Sequence, residues 1–309
     1  MLIALGGNAM TGPDGSAHPD AQTEAIGVAM EAVAELVAAG VDVVLTHGNG
    51  PQVGYLLVKN ELAAAVVPPV PLDWYGGQTQ GTIGFLMLNA LDRSLHTRGV
   101  DRRVAAVVTR TLVDGDDPGF GRPTKPIGRF LPKEEADALV EHGQTWQDRG
   151  EKGWRRVVAS PEPLEVVDAA AAEALLAAGF LVVAAGGGGI PVVRDPDGTY
   201  RGVEAVIDKD LAAALLGRAL AADVLVIATD VEAAVLGFGT PDARAIGRVT
   251  PEQLRSHAVD GSFASGSMGP KVEAAVRFVE SGGTRAVITS LDAIGAGVRG
   301  EAGTVVEKS

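Results

Sequence analysis

Val41-Asp-Val-Val-Leu-Thr46-His47-Gly48-Asn49-Gly50-Pro51 is the stretch that decides the fold. An aliphatic, β-branched run stops at a polar pair. Two glycines and an asparagine then make a turn, and Pro51 supplies the fixed φ of a first helical position. The reading is strand, turn, helix start. The positive end of such a helix faces the turn, so its backbone N–H groups can hold an anion. Gly6-Gly7-Asn8, after the apolar run at 2–5, offers a second cradle of the same kind.

Outward from this unit the pattern repeats. Short apolar runs at 2–5, 41–46, 104–109, 180–185, 224–229 and 286–289 read as strands. Amphipathic stretches at 20–39, 51–66, 76–98, 168–178, 208–220 and 270–281 read as helices. The alternation predicts an α/β fold with a largely parallel sheet. In the last helix Pro270 is expected at the start, Val272, Ala275, Val276 and Val279 form one stripe, and Gly282 closes it. Lys271 then falls in the first turn, its side chain directed away from the stripe. Lys209 and Asp210 likewise follow Asp208, a natural N-cap. A hairpin is expected after residue 190, turning at Asp195-Pro-Asp-Gly198. Residues 112–165 break the alternation with several prolines, Trp146 and Trp154. A structureless loop of that length is unusual in a compact domain, so they read as an inserted subdomain.

Composition removes several functions. A net charge of −13 argues against nucleic acid as a partner, since duplex binding needs a basic footprint. With no cysteine there is no disulfide, thiolate nucleophile or Cys-based metal site, which fits a reducing cytoplasm. The five histidines show no ligand spacing, so no zinc site is expected. The first residues lack the basic and apolar regions of a signal peptide. No uninterrupted apolar stretch is long enough for a membrane span.

The chain uses 19 arginines and only 7 lysines, yet Lys125, Lys209 and Lys271 all sit in short turns flanked by Gly, Pro or Asp. Lysine is a compact, three-donor point charge suited to a moving phosphoryl group. An acidic protein that binds polyphosphate must gather its few cations locally. With the two glycine turns, these lysines point to phosphoryl transfer between small molecules, although any one alone reads first as a solvated surface charge. Gly186-Gly187-Gly188-Gly189 implies close backbone approach, by nucleotide phosphates or by tight packing. It is not a dinucleotide fingerprint, because the third glycine position holds Pro191. Asp210 can hold the lysines in place or meet a Mg²⁺ carried by phosphates, and Asp230 has a similar choice between cap and ligand contact. His47 reads as an orienting residue rather than a base.

Seven motifs in order resemble carbamate kinases, of the amino-acid kinase superfamily. They are Leu5-Gly-Gly-Asn-Ala9, Thr46-His-Gly-Asn-Gly-Pro-Gln-Val-Gly54, Pro123-Thr-Lys-Pro-Ile-Gly128, Gly153-Trp-Arg-Arg-Val-Val158, Ala185-Gly-Gly-Gly-Gly-Ile-Pro-Val192, Gly202-Val-Glu-Ala-Val-Ile-Asp-Lys-Asp210 and Gly266-Ser-Met-Gly-Pro-Lys271. The resemblance covers nearly the whole chain. It implies a single domain over 1–309, an open αβα sandwich with 112–165 as a protruding lid, and a homodimer. The implied reaction is ATP + carbamate ⇌ ADP + carbamoyl phosphate, with Mg²⁺ accompanying the nucleotide and ATP synthesis as the working direction. Carried over residue by residue, Gly6, Gly7, Asn8, Gly48, Asn49 and Gly50 would line the carbamate and γ-phosphoryl site. Lys209 and Lys271 would contact phosphates, Asp210 would organise them, and Lys125 would close from the lid. Gly186, Gly187, Gly188, Asp230, Val231, Met268 and Gly269 would border the nucleotide. The stretch 228–241 departs from the family at Val235, where many members carry an aromatic residue, and at Gly237. The rivals are a superfamily member with another acceptor, such as acetylglutamate, and a nucleotide-binding module without catalysis.

Overall fold

The computed structural model describes residues 1–7, 10–12, 18–141, 143–259, 263 and 268–309. Six parallel strands run from one edge of an eight-stranded sheet, in the order Arg285–Ser290, Val224–Thr229, Leu2–Leu5, Val44–His47, Leu181–Val183, with Val104–Ala106 at the edge. Thr304–Glu307 adds antiparallel to Arg285–Ser290, and Arg248–Val249 closes that edge.

The strands are mostly apolar because both faces are covered, with polar residues such as Thr46, His47 and Thr229 at their carboxyl ends. Leu2 and Ala4 point to one side, where they pack with Ala213, Leu216, Val276 and Phe278. Those residues belong to the helices Lys209–Ala219 and Met268–Glu280. Ile3 and Leu5 point to the other side, against Met30 and Val33 of Pro19–Ala38 and Ile83 and Met87 of Leu72–Thr97. Leu2–Leu5 lies between a strand that follows it immediately in the sheet-forming order and one some two hundred residues later. That reversal is a topological switch point, and open α/β sheets bind ligands at the carboxyl ends of the strands there.

A second sheet of four strands joins Tyr200–Gly202, Ile190–Arg194, Arg110–Val113 and Pro163–Val166. Its first two strands are the hairpin expected after residue 190. A third, antiparallel sheet of three strands holds Lys125–Leu131, Trp154–Val158 and Thr145–Asp148. The helix Lys133–Val140 packs on it around Leu131, Ala136 and Trp146. This unit rests on the body through Ile127 and Val158, which meet Val53, Leu57, Leu72 and Tyr75. The strands Arg110–Val113 and Pro163–Val166 belong to the second sheet, so the three-stranded unit occupies a narrower span than the sequence break at 112–165.

Several expected boundaries move. The strand anticipated at 104–109 ends at Ala106. Beyond Val107 a side chain replaces the neighbouring strand: Gln80 Oε1 accepts from the Thr109 N–H at 2.8 Å, and the Thr109 hydroxyl meets the Ala185 N–H at 3.1 Å. The last long helix starts at Met268, two residues before Pro270. The helix expected at 76–98 begins at Leu72. The helix Pro251–Val259 and the strand Thr304–Glu307 were not anticipated, because each is too short to show a clear period.

Candidate active site

The two glycine turns meet. A Cβ on Gly48 would lie 2.6 Å from the Gly7 nitrogen, and one on Gly7 would touch Gly50 and Pro51 at 3.4 Å. Gly48 is tied to the first strand by its N–H, donated to the Leu5 carbonyl at 2.8 Å. The Asn49 and Gly50 N–H groups have no hydrogen-bond partner among the described residues. They sit at the start of the helix Gly50–Ala63, as an anion cradle requires. Gly6 continues from the strand, donating to the Ala228 carbonyl. Asn8 lies outside the described residues.

The cradle is braced from behind by polar side chains. Thr46 donates to the Ala185 carbonyl at 2.9 Å, and the Asn49 amide to the Thr79 hydroxyl at 2.9 Å. His47 is buried, with Nδ1 2.9 Å from the Gly48 carbonyl. A carbonyl only accepts, so Nδ1 carries the proton and Nε2 faces Gly186. Burial, aided by the nearby Lys209 charge, pushes the imidazole pKa down to about 4. His47 is therefore neutral at pH 7 and orients the turn.

The four-glycine run folds as one tight turn. A Cβ on Gly186 would fall 2.3 Å from His47 Nε2, and one on Gly187 would fall 2.2 Å from Asn49 Nδ2. Ile207 and Thr111 occupy the same directions at Gly188 and Gly189. The missing side chains thus let this turn lie against the cradle. Gln80 donates to the Gly186 carbonyl at 3.0 Å, and Thr111 to the Gly188 carbonyl at 2.7 Å.

Beside the cradle lies the lysine cluster. Asp208 caps its helix, accepting from the N–H of Asp210 at 3.0 Å and of Leu211 at 3.4 Å. The cap fixes Lys209 and Asp210 in the first turn, and the Lys209 stem passes Gly48. Asp210 is buried, one oxygen accepting from Lys209 and the other from Lys271 Nζ at 3.1 Å. Lys271 is itself only 8% exposed and reaches Asp210 from the first turn of Met268–Glu280. Burial pushes the Asp210 carboxyl up, but the two ammonium groups outweigh it and hold its pKa below the ordinary value. Burial, and then repulsion from Lys271, pulls the Lys209 pKa down against the attraction of Asp210. Two buried cations around one carboxylate leave an excess positive charge facing the glycine turns, which a phosphate dianion complements.

Lys125 arrives separately, on the first strand of the three-stranded sheet. Its Nζ donates to Asp208 Oδ2 at 2.8 Å, not to Asp210. Asp230 and Val231 follow Val224–Thr229, so they share the sheet end with Gly6 and Gly7. The Thr229 hydroxyl donates to Asp230 Oδ1 at 3.0 Å. Met268 and Gly269 begin the helix that carries Lys271. The structure thus brings the three-residue cluster and the two glycine turns together, and holds Lys125 one carboxylate away. Gln80, Thr79, Thr109 and Thr111 were missed, because a polar residue in an amphipathic helix or at a strand end carries no sign of its partner.

The sequence profile of the amino acid kinase family matches residues 1–290. The chain belongs to the amino acid kinase family. It is 44% identical to the carbamate kinase of Thermococcus kodakarensis, covering 99% of this chain and 98% of that one. It is also 44% identical to the carbamate kinase-like protein YahI of Escherichia coli, over 100% and 99% of the two chains. Among solved structures, carbamate kinase from Giardia lamblia bound to AMP-PNP superposes with a TM-score of 0.92 at 40% identity, covering 100% of this chain and 98% of that one.

Proposed function

We propose that this protein is a carbamate kinase, which moves a phosphoryl group between carbamoyl phosphate and MgADP to give carbamate and MgATP. The observation that carries the reading is the Lys209–Asp210–Lys271 cluster set against the joined glycine turns at the switch point of the sheet. Carbamate is already an anionic nucleophile, so the reaction needs no general base, and neutral, buried His47 fits a site without one. Catalysis then rests on in-line positioning and charge stabilisation. The Asn49 and Gly50 N–H groups hold oxygens of the acceptor or the transferring group. Lys209 and Lys271 stabilise the charge that develops between the phosphoryl oxygens, and Asp210 holds both in place. Gly186, Gly187, Gly188, Asp230, Val231, Met268 and Gly269 border the nucleotide in this reading.

No group of three His, Cys, Asp or Glu among the described residues is arranged to hold a metal ion. Both Asp210 oxygens are committed to ammonium groups. In this reading Mg²⁺ comes with the nucleotide substrate, near Asp210. Within the expected span of 112–165, the three-stranded unit acts as the inserted lid on a single domain of 1–309, and Lys125 closes over the transferring group. A lid has a chemical purpose here, because carbamate and carbamoyl phosphate are both labile in water. The resemblance to carbamate kinases further supports a cytoplasmic homodimer that runs toward ATP synthesis, for which native mass measurement is the test of assembly.

The deciding experiment is ATP formation from MgADP and carbamoyl phosphate. Rapid formation that falls at least about tenfold in Lys271→Ala or Lys209→Ala, roughly 1.4 kcal/mol of transition-state stabilisation, is expected. Inert, folded protein would reject the reading. The equal identity to a protein named only carbamate kinase-like keeps one alternative, an amino-acid kinase with a different acceptor. ATP-dependent phosphorylation of acetylglutamate or another carboxylate would then replace carbamate.

A further inference from the structure

The Asp208 carboxylate does two separate jobs with its two oxygens. Oδ1 accepts from the backbone N–H groups of Asp210 and Leu211, which fixes the start of the helix Lys209–Ala219. Oδ2 accepts from Lys125 Nζ at 2.8 Å, across 83 residues of chain. The side chain is only 12% exposed, while that of Lys125 is 34% exposed. One rigid, buried carboxylate therefore joins the three-stranded sheet to the helix that bears Lys209 and Asp210.

We propose that Asp208 is a positioning residue, which clamps the Lys125 ammonium at the edge of the lysine cluster and so registers the three-stranded sheet against the phosphoryl site. This rests on the phosphoryl-transfer reading of that site. An ammonium has three donors, so one can stay on Asp208 while the others meet a phosphoryl oxygen. Without the clamp, the Lys125 side chain samples many rotamers, since the other ties of its sheet to the body, Ile127 and Val158 and the Arg129–Glu61 pair, do not touch its ammonium. Its charge is then misplaced in the transition state, where small displacements are costly.

The two jobs are separable by substitution. Asn caps a helix about as well as Asp, whereas Ala does not. In Asp208→Asn the amide oxygen retains the cap, and the amide nitrogen, itself a donor, cannot accept from Lys125. The expected result is a nearly unchanged melting temperature and a turnover about tenfold lower, with KM for MgADP little changed. Asp208→Ala loses both the cap and the turnover. In Lys125→Ala the Asp208→Asn change should have almost no further effect on turnover, because its only partner for that role is gone. Additive losses would mean that Asp208 does not act through Lys125 and would overturn the proposal.

A second readout does not depend on any acceptor. The ¹³Cε resonance of Lys125 in isotopically labelled protein, assigned by its loss in Lys125→Ala, should move in Asp208→Asn. An unmoved resonance overturns the clamp even if the enzyme is active. A moved resonance in a protein inert toward carbamoyl phosphate would uphold the clamp and reject the carbamate reading alone.

Discussion

The lysine cluster and the three-stranded sheet each bring lysine to an aspartate of one helix start, in opposite ways. Lys209 and Lys271 are buried and share one carboxylate that is 3% exposed. Lys125 is a third exposed, makes one ion pair, and rides on a unit whose own core is little more than Leu131, Ala136 and Trp146. Buried charges are costly to separate because water cannot replace a lost partner. A half-exposed charge is cheap to release. Breaking the Lys209–Asp210–Lys271 cluster would therefore cost more than breaking the Lys125–Asp208 pair.

The comparison breaks most visibly at Asp210. Asp210→Ala strands two ammonium groups in the interior, and a cost of about 3–5 kcal/mol in unfolding free energy is expected. Turnover should fall further than with either lysine change. A urea midpoint within error of wild type would show that the cluster is not desolvated as its burial indicates.

The next effect is acid sensitivity of the cradle. The His47 pKa is depressed from 6.5 to about 4, so between those values the unfolded chain binds the proton and the native state does not. Stability from this group is complete above pH 6.5 and is lost as pH falls toward 4, by about 3 kcal/mol. Below the ordinary carboxylate value of 3.8 the loss passes to Asp210, whose pKa is held lower still. Denaturation midpoints across pH 4–7 should slope less steeply in His47→Gln than in wild type. Parallel curves would refute a neutral, buried His47.

The smallest stability effect is expected at Lys125. Removing one member of a partly exposed pair should change unfolding free energy by no more than about 1 kcal/mol. Lys125→Ala should nonetheless lower turnover at least about tenfold, by its part in the chemical step. Wild-type kinetics would remove the three-stranded sheet from the catalytic cycle. A stability loss as large as that of Asp210→Ala would erase the contrast between the two regions.

How much was legible varied with the range of the interaction. The strand–turn–helix unit at 44–63 and the Asp208 cap were readable, since both rest on neighbours a few residues apart. The four glycines at 186–189 were visible as a demand for close approach, but the sequence left open whether nucleotide or protein made it. The structure places His47, Asn49, Ile207 and Thr111 there, from three other segments. The end of the strand at Ala106 was illegible because Gln80, on a different element, takes over the hydrogen bond of Thr109.

By itself, then, the sequence determined the α/β alternation, the two glycine turns and the lysines at helix starts, because backbone φ preferences, caps and apolar period act locally. Only the tertiary structure decided which carboxylate serves which lysine. Asp210 meets Lys271 across 61 residues and Asp208 meets Lys125 across 83. Aspartates two positions apart in one turn are nearly equivalent as sequence. They differ only in the direction that the helix start gives each side chain, one toward the packed interior and one toward the three-stranded sheet.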